Sequence, residues 1–266
     1  MYDRIKQAAV GFLSGLRIAQ LPQVAQAAGQ KPEVLGPDLK DWLAQQDAAT
    51  ELLWQARVKS LLNILSNAKD LAQSVKQLDA LVAEDQTLQP HKEYFFDLLY
   101  VSWLSWQESQ GNDDWMDSPE WQRLEEKLAE RGTEMLTMLM YLQEVVDSDL
   151  KANLDDFLEQ FLIDEEMDFQ EDLEVYEEVL TNRAWLDLTF AEMIKKAESI
   201  EAETAIPELF TPLFCFFKSP EKAQINLLAT LGAGGNTTRN LAVVLALLGF
   251  YKGLDGVDDA FCISVN

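Results

Sequence analysis

The segment that decides the fold runs from Leu228 to Leu254 and reads LATLGAGGNTTRNLAVVLALLGFYKGL. A glycine-rich turn opens it, and an apolar run follows that carries no charge between Arg239 and Lys252. Small and branched apolar residues without charges are typical of a helix that is buried on most sides. We therefore predict a core helix from about Thr238 to Tyr251.

The turn before this helix has the composition of a ligand-binding corner. Its glycines allow backbone torsion angles that other residues avoid, and the polar side chains after them can cap the helix. Backbone N–H groups and short polar side chains then point to one place, which suits an anion or a metal-held ligand. A purely structural cap is the competing interpretation. The corner consists of Gly234, Gly235, Asn236, Thr237, Thr238 and Arg239.

This corner resembles the closing motif of the ADP-ribosylglycohydrolase family, in which Gly-Gly-Asp-Thr-Asp-Thr precedes a helix rich in Ala, Gly and Leu. In that family the two Asp and the last Thr hold a pair of divalent metal ions. The chain has Asn236, Thr238 and Arg239 at these places. The resemblance therefore implies a retained frame whose metal ligands are missing, with Arg239 as a fixed positive charge that neutralises the pocket or takes a phosphate.

The start of the chain resembles the same family. Residues 3–17 read DRIKQAAVGFLSGLR and are similar to the family opening Asp-Arg-Ile-x-Gly-Ala-Leu-Leu-Gly-Leu-Ala-x-Gly-Asp-Ala. Leu16 stands where the family has its last Asp, and the family's Thr-Asp-Asp-Thr metal run has only a weak counterpart in QQDAAT at residues 45–50. The segment from Pro207 to Ala223 also has the familiar form of an apolar helix, a Ser-Pro break and a further helix.

The two ends of the chain are predicted to pack against each other. We expect the helix from about Asp3 to Ala19 to lie beside the helix from about Thr238 to Tyr251. Small residues recur in both at three- and four-residue spacing, which permits a close approach. These small residues are Ala8, Gly11, Gly15, Ala242, Ala246 and Gly249.

Composition excludes several classes of protein. The chain has 266 residues, is 48% hydrophobic and carries a formal net charge of −25. Its length and the scatter of Pro and Gly favour a single domain over residues 1–266, and the apolar fraction argues against disorder. The negative charge argues against nucleic acid and anionic membranes as partners. Two cysteines without metal or redox spacing, and the lack of an export signal, favour a cytoplasmic location.

Helical periodicity dominates the chain and predicts an all-α fold, and the resemblance implies an orthogonal helical bundle. The apolar residues between Leu52 and Ile64 indicate a core-facing helix, and the denser run from Tyr94 to Trp106 indicates a central helix. A Ser-Pro pair at residues 118–119 marks a helix start, from which we expect helix through Leu142. Only residues 260–265 allow a short strand.

Acidic residues concentrate between Glu144 and Glu178, where fifteen Asp and Glu accompany one Lys. We interpret this segment as either the solvated faces of amphipathic helices or a docking surface for a basic protein partner. His91 is the only histidine, which excludes zinc sites built on several His. Beside Pro90, at the start of a helix, it is predicted to lie at the surface.

Of three other features, two have two interpretations each and one has a single simple interpretation. Asp113 and Asp114 form either a displaced carboxylate pair or part of a polar turn. Cys215, in the apolar run LFCFF, is most simply a buried small hydrophobe. Four tryptophans can either stack on an adenine or pack in the core. They are Trp103, Trp106, Trp115 and Trp121.

Two functions of different class follow. The family activity that the resemblance implies is metal-dependent removal of ADP-ribose, and hard divalent cations need several oxygen ligands. Because the ligand positions hold other residues, we expect an inactive, acidic binding or regulatory protein without catalytic residues, metal or cofactor. The corner from Gly234 to Arg239 remains a vestigial pocket for an ADP-ribose-like ligand. The alternative is an active Mg²⁺- or Mn²⁺-dependent hydrolase with carboxylates from elsewhere, such as Asp47 or the pair at 113–114.

Overall fold

The computed structural model describes residues 2–27, 32–111, 133–154, 156–157, 187–189, 192, 210–218, 236–257 and 261–264. These residues are mostly helical and contain no strand, in agreement with the predicted all-α class. None of the described helices is long and apolar enough to cross a membrane. The helices are α1 Tyr2–Ala19, α2 Pro22–Ala27, α3 Pro32–Ala44, α4 Ala48–Ser66, α5 Leu71–Ala83, α6 Lys92–Ser109, α7 Glu134–Asp147, α8 Phe210–Lys218 and α9 Thr237–Lys252, with 3₁₀ turns at Gln89–His91 and Leu254–Gly256.

The core is built on the antiparallel contact between α1 and α9. Three glycines allow the two backbones to touch, because a side chain at any of them would collide with the facing helix. A Cβ atom at Gly11, Gly15 or Gly249 would lie 2.2, 2.4 or 2.5 Å from a backbone oxygen of the partner helix. The prediction that the two ends of the chain pack together is confirmed. The contacts join Gly11 to Leu245, Gly15 to Leu241 and Gly249 to Gln7.

Helix α6 is the second central element, as predicted. Its residues from Tyr94 to Trp103 are all buried, because α1, α4, α5 and α7 all contact it. Phe12 of α1 packs edge-on against Phe95 of α6, with 5.1 Å between the ring centroids. Edge-to-face aromatic packing of this kind adds to the burial of apolar area. Cys215 in α8 is also buried, as predicted.

Helix α4 forms as predicted, but only part of its apolar residues between Leu52 and Ile64 is buried. Leu52, Leu53 and Ala56 are exposed, whereas Arg57 is buried. The Arg57 guanidinium makes two hydrogen bonds with Asp85, of 2.6 and 2.9 Å, and lies over an aromatic ring of the same helix. These contacts allow a charged residue to occupy the inner face. The residues that α4 buries are Trp54, Arg57, Val58, Leu61, Ile64 and Leu65.

One other prediction of local structure is wrong. The helix containing Leu142 does not continue from residues 118–119, because a new helix begins at Glu134 after Thr133, whose backbone is extended. The short strand that residues 260–265 allow does not form in their described part, residues 261–264. There the backbone N–H of Ile263 donates to Ser14 Oγ at 3.0 Å, so a buried side chain satisfies the backbone in place of a neighbouring strand.

Candidate functional site

The corner before α9 is described from Asn236 onward. Asn236 is the N-cap, and its Oδ1 accepts a hydrogen bond from the backbone N–H of Arg239 at 3.1 Å. Thr237 and Thr238 are half-buried in the first turn. Of the polar residues in the corner, Asn236 is therefore the one that caps the helix.

Arg239 makes its described contacts within α9 itself. Its Nε and Nη2 donate to Oδ1 of the adjacent Asn240, at 3.1 and 2.9 Å. Asn240 is completely buried, although it begins the apolar run. A buried amide needs hydrogen-bond partners, and the guanidinium supplies two of them. The charge of Arg239 is thus held at the start of the helix.

Three of the regions that carry the resemblance lie at one end of the bundle. Because α1 and α9 are antiparallel, the end of α1 that contains Leu16 lies beside the start of α9. The start of α4 joins them, since Arg17 Nη1 donates to Glu51 Oε2 at 2.7 Å. The Arg17 side chain is buried, and burial lowers the pKa of its guanidinium. A fixed cation therefore lies in the interior directly beside Leu16.

The side chains at the expected ligand positions have roles in folding. Leu16 is 1% exposed and belongs to the core. Asp47 caps α4, where its carboxylate accepts the Thr50 backbone N–H at 2.8 Å and the Thr50 hydroxyl at 3.2 Å. These hydrogen bonds, the backbone one above all, hold the pKa of Asp47 below its usual range. Within the described part of the chain, no group of three or more His, Cys, Asp and Glu is arranged to hold a metal ion.

His91 is buried, so its predicted surface position is wrong. Its ring lies edge-on to Phe12 of α1, with 6.4 Å between the centroids. The short 3₁₀ turn at Gln89–His91 brings the side chain inward before α6 begins. Burial lowers the pKa of this imidazole, because removal from water disfavours the charged form.

A buried carboxyl group joins α6 to α7. Asp97 has no exposed surface, and it accepts the backbone N–H of Thr133 at 3.2 Å while its other oxygen lies 2.5 Å from the Thr133 hydroxyl. Thr133 Oγ1 in turn accepts from the backbone N–H of Met135 and caps α7. Burial raises the pKa of Asp97 well above its usual value, and the neighbouring charges of Glu93 and Glu134 act in the same direction.

The Asp97–Thr133 contact places the start of α7 beside the middle of α6, and the two helices then run parallel. Near their C-terminal ends the two helices line an open cleft of about 310 Å³, which we call the α6–α7 cleft. Its walls are mostly apolar, with carboxylates among the lining residues. We define it by Val101, Leu104 and Glu108 of α6 and by Met140, Glu144 and Asp147 of α7.

The charged side chains that line the α6–α7 cleft are carboxylates. All of its described charged residues are acidic, and neither helix has a basic residue in its last turn. The C-terminal ends of both helices meet there, and each carries roughly half a negative charge from the helix dipole. Burial and the nearby charge of Asp147 raise the pKa of Glu108. Periodicity reveals the two helices but not that their acidic ends meet, so sequence reasoning missed this cleft.

Only some of the remaining predicted positions lie within the described residues. Trp103 is buried in the core, which agrees with the packing interpretation of the tryptophans. Trp106 is partly exposed. The acidic segment is described for 144–154 and for 156–157. The positions without description are Gly234, Gly235, Asp113, Asp114, Trp115, Trp121 and the remainder of Glu144–Glu178.

Comparison with protein-family models, curated proteins and solved structures finds no match to this chain.

Proposed function

We propose that this chain is a non-catalytic, ADP-ribosylglycohydrolase-like protein that binds a basic protein partner. The observation that carries the proposal is the use of the expected metal-ligand positions for folding. Asn236 caps α9, Leu16 packs in the core and Asp47 caps α4. Two hard cations need a converging set of oxygen ligands, and these side chains do not fit that requirement.

The arrangement of α1, α4 and α9 supports the family part of the proposal. The resemblance rests on residues at both ends of the chain, which lie far apart in sequence. The contacts from Gly15 to Leu241 and from Arg17 to Glu51 bring these residues to one end of the bundle. If the chain shares the fold of the family, the separate segments that resemble it must lie close together in space.

The distribution of charge supports the partner. A net charge of −25 repels acidic macromolecules and attracts basic ones over a distance of about one Debye length, roughly 10 Å at 0.1 M ionic strength. More than half of this charge comes from the segment between Glu144 and Glu178. The first turns of that segment line the α6–α7 cleft. The proposed partner is therefore a protein segment rich in Lys or Arg.

An assay of ADP-ribose release tests the catalytic part of the proposal. Purified protein is incubated with arginine- or serine-linked ADP-ribosylated substrate and Mg²⁺ or Mn²⁺, and we expect no turnover above the metal-only blank. Turnover that Asp113→Ala abolishes would contradict the proposal and favour the rearranged hydrolase. Asp41→Ala, which removes an exposed carboxylate on α3, is the matched control. Binding of ADP-ribose itself, measured by calorimetry, tests the corner at Gly234–Arg239 separately.

A further inference from the structure

The α6–α7 cleft combines three features that suit one kind of ligand. Its apolar walls come from Val101, Leu104 and Met140, and the Met140 side chain is 42% exposed. Its acidic residues come from the last turns of both helices. An apolar wall beside a carboxylate complements a side chain with an apolar stem and a cationic end.

The helix ends strengthen this preference for a cation. Parallel helices place two negative dipole ends together, and a positive charge near a helix C-terminus is stabilising. Many helices supply that charge with their own Lys or Arg, but α6 and α7 have none in the last turn. A cation from another molecule would therefore be stabilised by both dipoles and by the carboxylates.

We propose that the α6–α7 cleft is the place where a Lys or Arg side chain of a basic, amphipathic protein segment docks. The stem of that side chain lies against Leu104 and Met140, and its charge lies among Glu108, Glu144 and Asp147. This inference rests on the proposed function, because it locates the partner contact that the proposed function requires. The cleft volume, about 310 Å³, lies at the lower end of the roughly 300–1,000 Å³ that is usual for ligand pockets, which matches one side chain and not a large cofactor.

The test uses a synthetic peptide in which Leu and Lys recur at helical spacing, titrated into the full chain. The cleft variant carries Glu108→Gln, Glu144→Gln and Asp147→Asn. We expect it to bind the peptide roughly tenfold more weakly than the native chain, because the three carboxylates that would pair with the cations of the peptide are neutralised.

A control variant removes the same amount of charge elsewhere. It carries Asp38→Asn, Asp41→Asn and Glu84→Gln, at exposed positions on α3 and after α5. We expect its affinity to change less than threefold. Equal loss in both variants would overturn the cleft assignment and leave the proposed function standing. Failure of the native chain to bind the peptide at low ionic strength would overturn both.

A measurement on the native chain makes the test independent of the variants' stability. Methyl groups of labelled methionines are followed by NMR while the peptide is added. We expect the Met140 methyl signal to shift, since this side chain lines the cleft and is exposed. Met135 and Met138 of the same helix are fully buried and serve as internal controls. Saturable peptide binding without a shift at Met140 would place the peptide elsewhere and overturn the inference.

Discussion

Gly11 of α1 lies so close to Leu245 of α9 that an added Cβ atom would stand 2.2 Å from the Leu245 carbonyl oxygen. The atom in the way belongs to the backbone, so neither helix can yield without moving as a whole. The pairing of the chain's two ends, on which the whole core is assembled, therefore depends on the absence of a side chain at this position.

Substitution of Gly11 by Ala tests this contact, because the contact decides whether the free energy of unfolding rises or falls. Helix propensity alone predicts that Gly→Ala within a helix stabilises the fold by about 0.5–1 kcal/mol. The collision with Leu245 predicts the opposite, a loss of about 1–3 kcal/mol in the free energy of unfolding. Urea denaturation of the native chain and of Gly11→Ala distinguishes the two. A more stable variant would mean that α1 and α9 are not in backbone contact.

The α1–α9 pairing could be predicted from sequence because its cause is local and repetitive. Small residues recur at helical spacing in both helices, among them Gly11, Gly15 and Gly249, and small residues at such spacing have few structural uses other than close packing. The all-α class follows from periodicity in the same way. By contrast, the face that α4 buries depends on Arg57 and its distant partner Asp85, and periodicity treats any Arg as solvent-facing.

The candidate site could be predicted only in part. The cap at Asn236 follows from the turn composition, since a short polar side chain at that place satisfies a free backbone N–H. The α6–α7 cleft could not be predicted, because it depends on the hydrogen bonds between Asp97 and Thr133, which are 36 residues apart. A single Asp within the apolar run FFDLL is a signal of such a contact, but it does not name the partner.

Asp97 is expected to make stability depend on pH. Its pKa is raised in the folded chain above the unfolded value of about 3.9, so the folded state binds more protons between the two values. This contribution is fully present below pH of about 3.9 and is lost as pH rises through the folded pKa. Asp97→Asn keeps a hydrogen-bonding group that stays neutral. We therefore expect the free energy of unfolding of this variant not to fall as pH rises through that range. Asp97→Ala should be less stable than Asp97→Asn by about 1–3 kcal/mol at every pH, because it leaves the Thr133 groups without their partner. Parallel pH profiles for the native chain and Asp97→Asn would contradict this account.

His91 is expected to act in the opposite direction. Burial lowers its pKa in the folded chain, so the unfolded state binds more protons as pH falls below about 6.5. Stability from neutral His91 is present above that pH and is lost as pH falls toward the folded pKa. Because Asp97 titrates with the opposite sign, His91→Gln is compared with its parent in the Asp97→Asn background. We expect the midpoint temperature of thermal unfolding of the parent to fall as pH is lowered from about 7 to about 5. The midpoint temperature of the His91→Gln variant should change less over the same range. The same pH dependence of the midpoint temperature in both proteins would show that this imidazole stays in water.

The acidic segment is expected to control the rate of partner association. Reversal of four charges, Glu165, Glu166, Glu171 and Asp172 to Lys, removes long-range attraction to a basic peptide and leaves the described lining residues of the α6–α7 cleft unchanged. We expect a lower association rate constant for the Leu/Lys peptide at low salt and little change in the dissociation rate constant, as measured by stopped-flow fluorescence. An unchanged association rate would show that the segment is a solvated face with no role in binding.

The salt dependence of peptide binding tests the central claim, that this is an acidic binding protein for a basic partner. The affinity of the native chain for the Leu/Lys peptide is measured by calorimetry at about 0.05 M and about 0.5 M ionic strength, with a Leu/Glu peptide as the control. We expect binding at low salt that weakens by roughly tenfold or more at high salt, because exposed charges are screened beyond a few Å at the higher value. Absence of binding at low salt, or an affinity that does not fall as salt is added, would contradict the account.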